Sequence, residues 1–348
     1  MTQGSVPQGN GCDQRGSFPW GTEPLQADAS AFDDVVLPSA THLPLTRARS
    51  NLLLLLVALI WGSAFVAQAL GNRSVGPLMF TGLRFGLGAL VVAPFAWREW
   101  RLLRARNRQP RPRDIAHIAG LGALLFMGAA MQQIGMLTTS VTNTGFLTAL
   151  YIPLVPVLGW LALRHAPHWT TWLAAAGCVA GSWLLTGGSS LSNFHAGDWW
   201  IIASSLPWAA HVMLVGRAAN RLHGAMLVAC GQFIACSVLA LATGAATEPL
   251  SLHGMLQAAG PIAYTGVLSV GLAFSLQVVA LRHAHAADAA IVLSSETVFT
   301  AVAGALFMGD RMGATGVARC GLILACVLLV QLQPIVWRWF AESRARSA

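Results

Sequence analysis

The sequence predicts an all-α polytopic membrane protein, with ten transmembrane helices arranged as two inverted five-helix repeats. Three observations support this. The 348 residues are 55% hydrophobic and only 10% charged, whereas about 25% of residues are charged in a typical soluble protein. Ten apolar stretches are long enough to span a bilayer. Arginines gather in alternate connections between these stretches, as expected for a chain that crosses the membrane repeatedly.

The chain begins with a segment of different composition. Residues 1–45 are rich in Gly, Pro, Ser and Asp and lack a helical apolar period or a signal-peptide pattern. Because this composition buries little apolar surface, we expect a disordered cytoplasmic extension. A regulatory arm and a start codon assigned too early are the alternatives.

The membrane region runs from about residue 50 to residue 334. A helix needs about 20 apolar residues to cross the hydrocarbon core. The predicted spans are 50–70, 76–97, 115–137, 142–163, 169–186, 198–217, 224–244, 257–280, 288–308 and 314–333.

All 21 basic residues are arginines, and their placement predicts the orientation. With a cytoplasmic N-terminus, sixteen arginines fall in inside segments, and only Arg73 and Arg311 fall in outside loops. This positive-inside pattern predicts a protein of the inner (cell) membrane with both termini in the cytoplasm, including a basic tail at 334–348. The same placement argues against nucleic-acid binding.

Two halves of the chain are related by a shift of 144 residues. The shift superimposes Gln133 on Gln277, and Trp61 in the first span corresponds to Trp208 in the sixth. We therefore predict one repeat at 50–186 and a second at 198–333. Five spans per half require the second half to enter the membrane in the opposite orientation, an arrangement typical of secondary transporters.

Several motifs place the chain near a known family. Residues 59–65 read LIWGSAF, Arg84–Phe85 follows in the second span, and residues 295–298 and 306–312 read SETV and LFMGDRM. Together these motifs resemble EamA-type transporters of the drug/metabolite transporter superfamily. Thr297 stands where that family usually has Pro, and Asp310 replaces its usual Glu. The resemblance implies export of small organic metabolites, amino acids or drugs without a bound cofactor.

Glu296 and Arg84 are the ionisable groups expected at membrane depth, where a charge must face a cavity or a partner. Glu296 lies on one helical row with Val292 and Thr300, and this polar row continues toward Gly304. It could couple transport to protons, or it could pair with Arg84 and hold two helices together. Arg84 lies between Gly82 and Gly86, a spacing that lets another helix approach closely.

The remaining candidates are polar or aromatic residues that could contact an organic substrate. Trp61 and Gln68 share a face of span one, and Trp208 and His211 share a face of span six; packing is the alternative for each. Gln133 and Gln277 could bind a zwitterionic substrate or simply join helices.

Span four is a candidate broken helix at the site. Asn143 and Tyr151 share a helical row there, and Pro153 and Pro156 follow. Two prolines leave backbone carbonyls without partners, which is tolerated only beside a cavity or polar neighbours.

Other chemistry has little support. The intramembrane cysteines form no CxxC pair, and we predict neither a disulfide nor a metal site. The pair His283 and Asp288 matches the His-x4-Asp pattern of membrane acyltransferases, an enzyme alternative without a second motif. We therefore expect a proton-coupled exporter of a small molecule, not an enzyme. A uniporter, an importer and a homodimer remain open.

Overall fold

The computed structural model describes residues 47–163, 195–281 and 286–310, with parts of 169–180 and 313–328. The predictions for the tail at 1–45, the basic segment at 334–348, most of spans five and ten, and His283 lie outside the described residues.

The first half contains five described helices. They are α1 (Arg47–Gly71), α2 (Pro77–Ala105), α3 (Pro112–Gly135), α4 (Val141–Thr148) and α5 (Tyr151–Leu163). Pro77 and Pro112 occupy the first turns of α2 and α3, where a missing N–H costs nothing. The side chain of Ser140 accepts a hydrogen bond from the Asn143 N–H (3.1 Å) and caps α4.

The regular secondary structure described in the second half is also helical. It contains α6 (Ala196–Leu222), α7 (Ala225–Thr247), α8 (Leu252–Gln257), α9 (Ala259–Ala263), α10 (Phe274–Leu281) and α11 (Ala286–Ala303). Two π-helical segments, Tyr264–Ala273 and Gly304–Met308, extend α9 and α11. α11 continues through Thr297, the position where the EamA-type transporters that the motifs resemble usually have Pro.

Six of the helical stretches in the described residues are long and apolar enough to cross a membrane. They are Arg49–Gly71, Pro77–Ala105, Pro112–Gly135, Val141–Leu161, Ala225–Thr247 and Ala259–Gln277. The protein is therefore a multi-pass membrane protein, and these stretches coincide with six of the predicted spans. The full set of ten spans and its inverted repeat stays a prediction.

Helices of the two halves pack against each other. α2 lies against α7, α3 against α6 and α7, and α1 against α11 and the π-helical segment Tyr264–Ala273. One apolar cluster, containing Phe85, Leu125 and Phe233, fills the space between α2, α3 and α7. A second, containing Phe146, Leu147 and Ile201, lies between α4 and α6.

The two ends of the bundle differ in charge. One end contains the start of α1, the connection between α2 and α3, and the connection between α6 and α7. We call it the arginine-rich end, because it carries Arg49, the run from Arg98 to Arg113, and Arg221. At the opposite, arginine-poor end, α1, α3 and α7 finish and α2, α4 and α6 begin.

Candidate functional site

The fourth and ninth predicted spans cross at a contact that we call the α4–α11 junction. A Cβ at Gly145 of α4 would lie 2.6 Å from Thr300 Cγ2, and a Cβ at Gly304 would lie 2.8 Å from Thr142 Oγ1. α1 closes a third side, because a Cβ at Gly62 would lie 2.8 Å from the Glu296 carbonyl oxygen. Thr300 and Gly304 of the predicted polar row therefore face α4, and the backbone at Glu296 packs against α1.

Glu296 is the acid at this junction. Its side chain is half-buried, and the Tyr151 hydroxyl lies within electrostatic reach of the carboxylate. No group in the described part of the chain donates a hydrogen bond to that carboxylate, although Thr300 donates to the Glu296 backbone carbonyl (2.8 Å). A carboxylate without donors at membrane depth is available for a proton or a cationic group.

The predicted break in span four directly precedes Tyr151. α4 ends at Thr148, a turn occupies Ala149 and Leu150, and α5 begins at Tyr151. Pro153 explains this position, because it cannot bond the Ala149 carbonyl four residues earlier and its ring clashes with that group. The Ile152 N–H bonds the Ala149 carbonyl instead (3.0 Å).

The break separates two residues that the sequence places on one row of span four. Asn143 lies in α4 and Tyr151 in α5. Tyr151 therefore reaches Glu296 as part of the second helix. Asn143 lies half-buried in the first turn of α4.

Gln68 and Gln133 join α1 to α3. Gln133, which has no exposed surface, donates from Nε2 to the Gln68 carbonyl (3.0 Å) and to Asn72 Oδ1 (2.8 Å). Asn72 donates in return to the Gln133 carbonyl (2.9 Å). The hydrogen bonds of Gln133 Nε2 therefore join two helices, which is the alternative to substrate binding. The Oε1 atoms of Gln68 and Gln133 are buried without a hydrogen-bond partner.

Trp208 and His211 lie together on α6, with ring centroids 6.1 Å apart. His211 Nε2 is 2.7 Å from Gln232 Oε1 of α7, and Trp208 packs over Gly128 of α3. The Trp208 Nε1 and His211 Nδ1 atoms are buried and have no hydrogen-bond partner.

Trp61 and Gln277 lie in other surroundings. Trp61 donates from Nε1 to the Ser269 carbonyl (3.0 Å) and packs against a small apolar cluster that contains Ile60 and Ala273. Gln277 is half-buried in α10. The structure therefore distributes the predicted substrate contacts over several places and does not bring them into one pocket.

Arg84 and Glu296 lie on helices with different main packing partners. α2 packs against α7 and the π-helical segment, whereas α11 packs against α1 and α4. No ion pair joins the two charges in the residues the structure describes. Gly82 and Gly86 do allow close packing as predicted, because Leu241 and Ser237 of α7 lie against them.

Sequence reasoning missed a reciprocal pair of carboxylate caps. Glu248, at the end of α7, accepts hydrogen bonds from the Leu78 and Met79 N–H groups at the start of α2 (2.8 and 2.9 Å). Glu99, near the end of α2, accepts one from the Leu227 N–H at the start of α7 (2.9 Å). Each carboxylate meets the positive end of the partner helix, a favourable electrostatic arrangement.

Two further acids from the second half bind the connection between α3 and α4. Asp310 accepts hydrogen bonds from the Thr142 N–H (2.9 Å) and hydroxyl (2.8 Å). Asp198, which is completely buried, accepts from the Thr139 hydroxyl. The Gly197 N–H also donates to Thr138 Oγ1 (2.9 Å). The arginine-poor end is thus fastened by bonds between the halves.

A cavity of about 390 Å³ opens at the arginine-rich end between α3 and α6. Leu121, Leu124 and Leu214 line its apolar wall, and Asp114 forms a salt bridge with Arg221 at its margin (3.3 Å). In the described residues, no three His, Cys, Asp or Glu side chains are grouped so that they could hold a metal ion.

Comparison with known proteins identifies the family. The model of the EamA-like transporter family matches residues 48–187 and, a second time, residues 195–332. The chain belongs to the EamA-like transporter family. It is therefore a transporter and not an enzyme, which sets aside the acyltransferase alternative, and it moves a small molecule across a membrane.

Relatives of this EamA-like transporter cover most of its length. A transporter of Archaeoglobus fulgidus is 25% identical over 82% of this chain and 87% of its own. The threonine/homoserine exporter RhtA of Salmonella typhimurium is 28% identical over 80% of this chain and 92% of its own. The Escherichia coli K12 exporter of the same name is 27% identical over 79% and 88%.

A solved crystal structure has the same fold. It superimposes with a TM-score of 0.55 at 18% identity, covering 83% of this chain and 98% of the other. At that identity the likeness concerns the fold alone.

Proposed function

We propose that this transporter exports small organic metabolites, amino acids among them, by alternating access between two inverted halves, with protons exchanged at Glu296 as the driving ion. The observation that carries the proposal is the position of the Glu296 carboxylate. It lies at the α4–α11 junction, within electrostatic reach of the hydroxyl of Tyr151, the first residue of α5 after the helix break. No described group donates a hydrogen bond to this carboxylate.

The chemistry of the junction favours exchange of a proton for a cationic group of the substrate. Pro156 has no N–H for the Ile152 carbonyl, so span four offers a backbone oxygen near Tyr151 in addition to the carboxylate. Oxygens from an interrupted helix commonly bind the coupling cation in secondary transporters. If one carboxylate binds either a proton or the ammonium group of a substrate, the two compete, and this competition exchanges one for the other across the membrane.

The reciprocal caps support two inverted halves. Glu99 of the first half caps α7, and Glu248 of the second half caps α2, at opposite ends of the bundle. A two-fold axis in the membrane plane would produce this relation. Such symmetry gives an inverted-repeat transporter two conformations of similar energy, one open to each side.

Three observations favour export. The RhtA relatives are named as exporters of threonine and homoserine. Asp198 and Asp310 fasten the arginine-poor end, whereas the cavity lies at the arginine-rich end. Under the positive-inside rule the arginine-rich end lies on the cytoplasmic side of the inner membrane, so the cavity in this conformation opens toward the cell interior.

The test uses the full-length protein in liposomes. Vesicles are loaded with labelled L-threonine, L-homoserine or another L-amino acid, and efflux is measured with and without an imposed pH gradient. We expect the gradient to accelerate efflux by wild type, while Glu296→Gln loses this acceleration. Glu23→Gln, which lies before the family match, is the control with the same chemical change. Gradient-driven efflux that persists in Glu296→Gln would refute the coupling role.

A further inference from the structure

Arg84 is a buried cation at membrane depth. Its side chain is 5% exposed, and Nε has no hydrogen-bond partner. In the part of the chain that the structure describes, no carboxylate forms a salt bridge with it. Its recorded neighbours are the Phe85 ring, 4.9 Å from the guanidinium carbon, and the Cys236 thiol. Burying an unpaired charge is costly, so an unpaired arginine at membrane depth points to a ligand.

The backbone around Arg84 is held from two sides. Ser237 of α7 donates to the Gly82 carbonyl (2.8 Å), and a Cβ at Gly266 of the π-helical segment would lie 2.9 Å from the Arg84 carbonyl oxygen. Arg84 also lies seven residues into α2, about 10 Å below the helix start. Rotation of the helix toward lipid headgroups is therefore blocked, and the guanidinium stays in the interior.

The surroundings suggest the kind of ligand. Phe85, Phe233 and Phe274 form a chain of aromatic contacts, with ring centroids 5.7 and 5.8 Å apart. Trp208 packs against the same cluster and has an unused Nε1–H. A fixed guanidinium and an indole N–H at the edge of an aromatic cluster suit a carboxylate with an apolar body.

We infer that Arg84 binds the carboxylate of the transported molecule, so that the substrate class is a small carboxylic acid or zwitterion. This inference rests on the proposed transport function and adds the chemical group that is recognised. This role differs from an ion pair between Arg84 and Glu296, because the guanidinium binds the substrate and does not hold two helices together. A guanidinium recognises a carboxylate through two parallel N–H donors, a geometry that a lysine lacks.

The transport test compares L-threonine with its carboxamide, L-threoninamide, in the liposome assay. Arg84→Gln should raise the KM for threonine by roughly tenfold to a hundredfold, the usual value of a charged hydrogen bond, and change the amide little. Arg84→Lys should recover part of the threonine affinity. Arg101→Gln, an exposed arginine on the same helix, is the matched control and should change neither substrate.

Thermal unfolding of the ligand-free protein in detergent is a second readout. Because the charge has no partner, Arg84→Gln should unfold at the same temperature as wild type or higher. A lower unfolding temperature would indicate a structural ion pair and overturn the inference, as would an equal loss of threonine and amide transport. If wild type transports neither compound, the proposal that this protein exports amino acids is wrong, and so is the proposed carboxylate site at Arg84. Threonine efflux that is normal in Arg84→Gln overturns the inference while leaving the transport function intact.

Discussion

Gly62 lies where α1 crosses α11, next to Glu296, and replacing it with alanine would force these helices apart. The new Cβ would lie 2.7 Å from Phe299 Cβ, 2.8 Å from the Glu296 carbonyl oxygen and 2.9 Å from the Thr300 nitrogen. Two of these atoms belong to the backbone, so no change of rotamer relieves the contact. Since carbon atoms pack best at about 3.5–4.0 Å, the two helices must separate by roughly 1 Å.

The expected magnitude follows from two opposing effects. Overpacking of a tight contact costs about 1–3 kcal/mol. Alanine is about 1 kcal/mol more favourable than glycine inside a helix. We therefore expect Gly62→Ala to lower the free energy of unfolding by up to about 2 kcal/mol. Transport should fall more than this loss of folded protein explains, because the clash displaces the α11 backbone that carries Glu296.

The assay pairs thermal unfolding in detergent with efflux from liposomes at equal amounts of folded protein. Gly120→Ala is the matched control, because a Cβ at Gly120 of α3 would meet no atom within 4 Å. This control should keep wild-type stability or gain up to about 1 kcal/mol. If Gly62→Ala matches Gly120→Ala in both measurements, the close contact between α1 and α11 is wrong.

Three further substitutions test other contacts. Glu248→Gln weakens the cap on α2 and should cost about 1–2 kcal/mol of stability, measured by thermal unfolding; an unchanged unfolding temperature would count against the cap. Asp310→Asn should speed hydrogen exchange of the Thr142 amide, measured by mass spectrometry, and unchanged exchange would show that another group protects this amide. Gln133→Leu removes the donor to Asn72 Oδ1 and should destabilise the protein by about 1–3 kcal/mol, whereas a neutral effect would contradict the network between α1 and α3.

Features that depend on the local chain could be predicted from the sequence. The apolar stretches are long enough to span the membrane, and the glycines on either side of Arg84 allow a close approach that the structure confirms. Pro153 predicts a broken helix, and the break lies at Ala149 and Leu150 because proline disturbs the carbonyl four residues earlier. Backbone chemistry of this kind acts within one turn, so the sequence pattern is sufficient.

Contacts between distant segments could not be predicted. Glu99 and Glu248 bind N–H groups of helices in the opposite half, and the sequence alone does not show which helix ends lie together. The two glutamates lie about one repeat length apart, near the ends of equivalent spans. This spacing is the sequence pattern that could have predicted them as a pair. Gln133 shows the same difficulty, because its choice between substrate and neighbouring helix depends on the position of Asn72.

The most direct test of a Glu296-dependent exporter compares cells expressing wild type, Glu296→Gln or an empty vector at matched membrane levels. Metabolites released into the medium are quantified over a broad panel that includes amino acids. We predict that one class of carboxylate-containing metabolites accumulates in the medium of wild-type cells. It should not accumulate in the medium of Glu296→Gln or empty-vector cells. Equal accumulation by wild type and Glu296→Gln would contradict the coupling role, and equal accumulation by wild type and empty vector would contradict export itself.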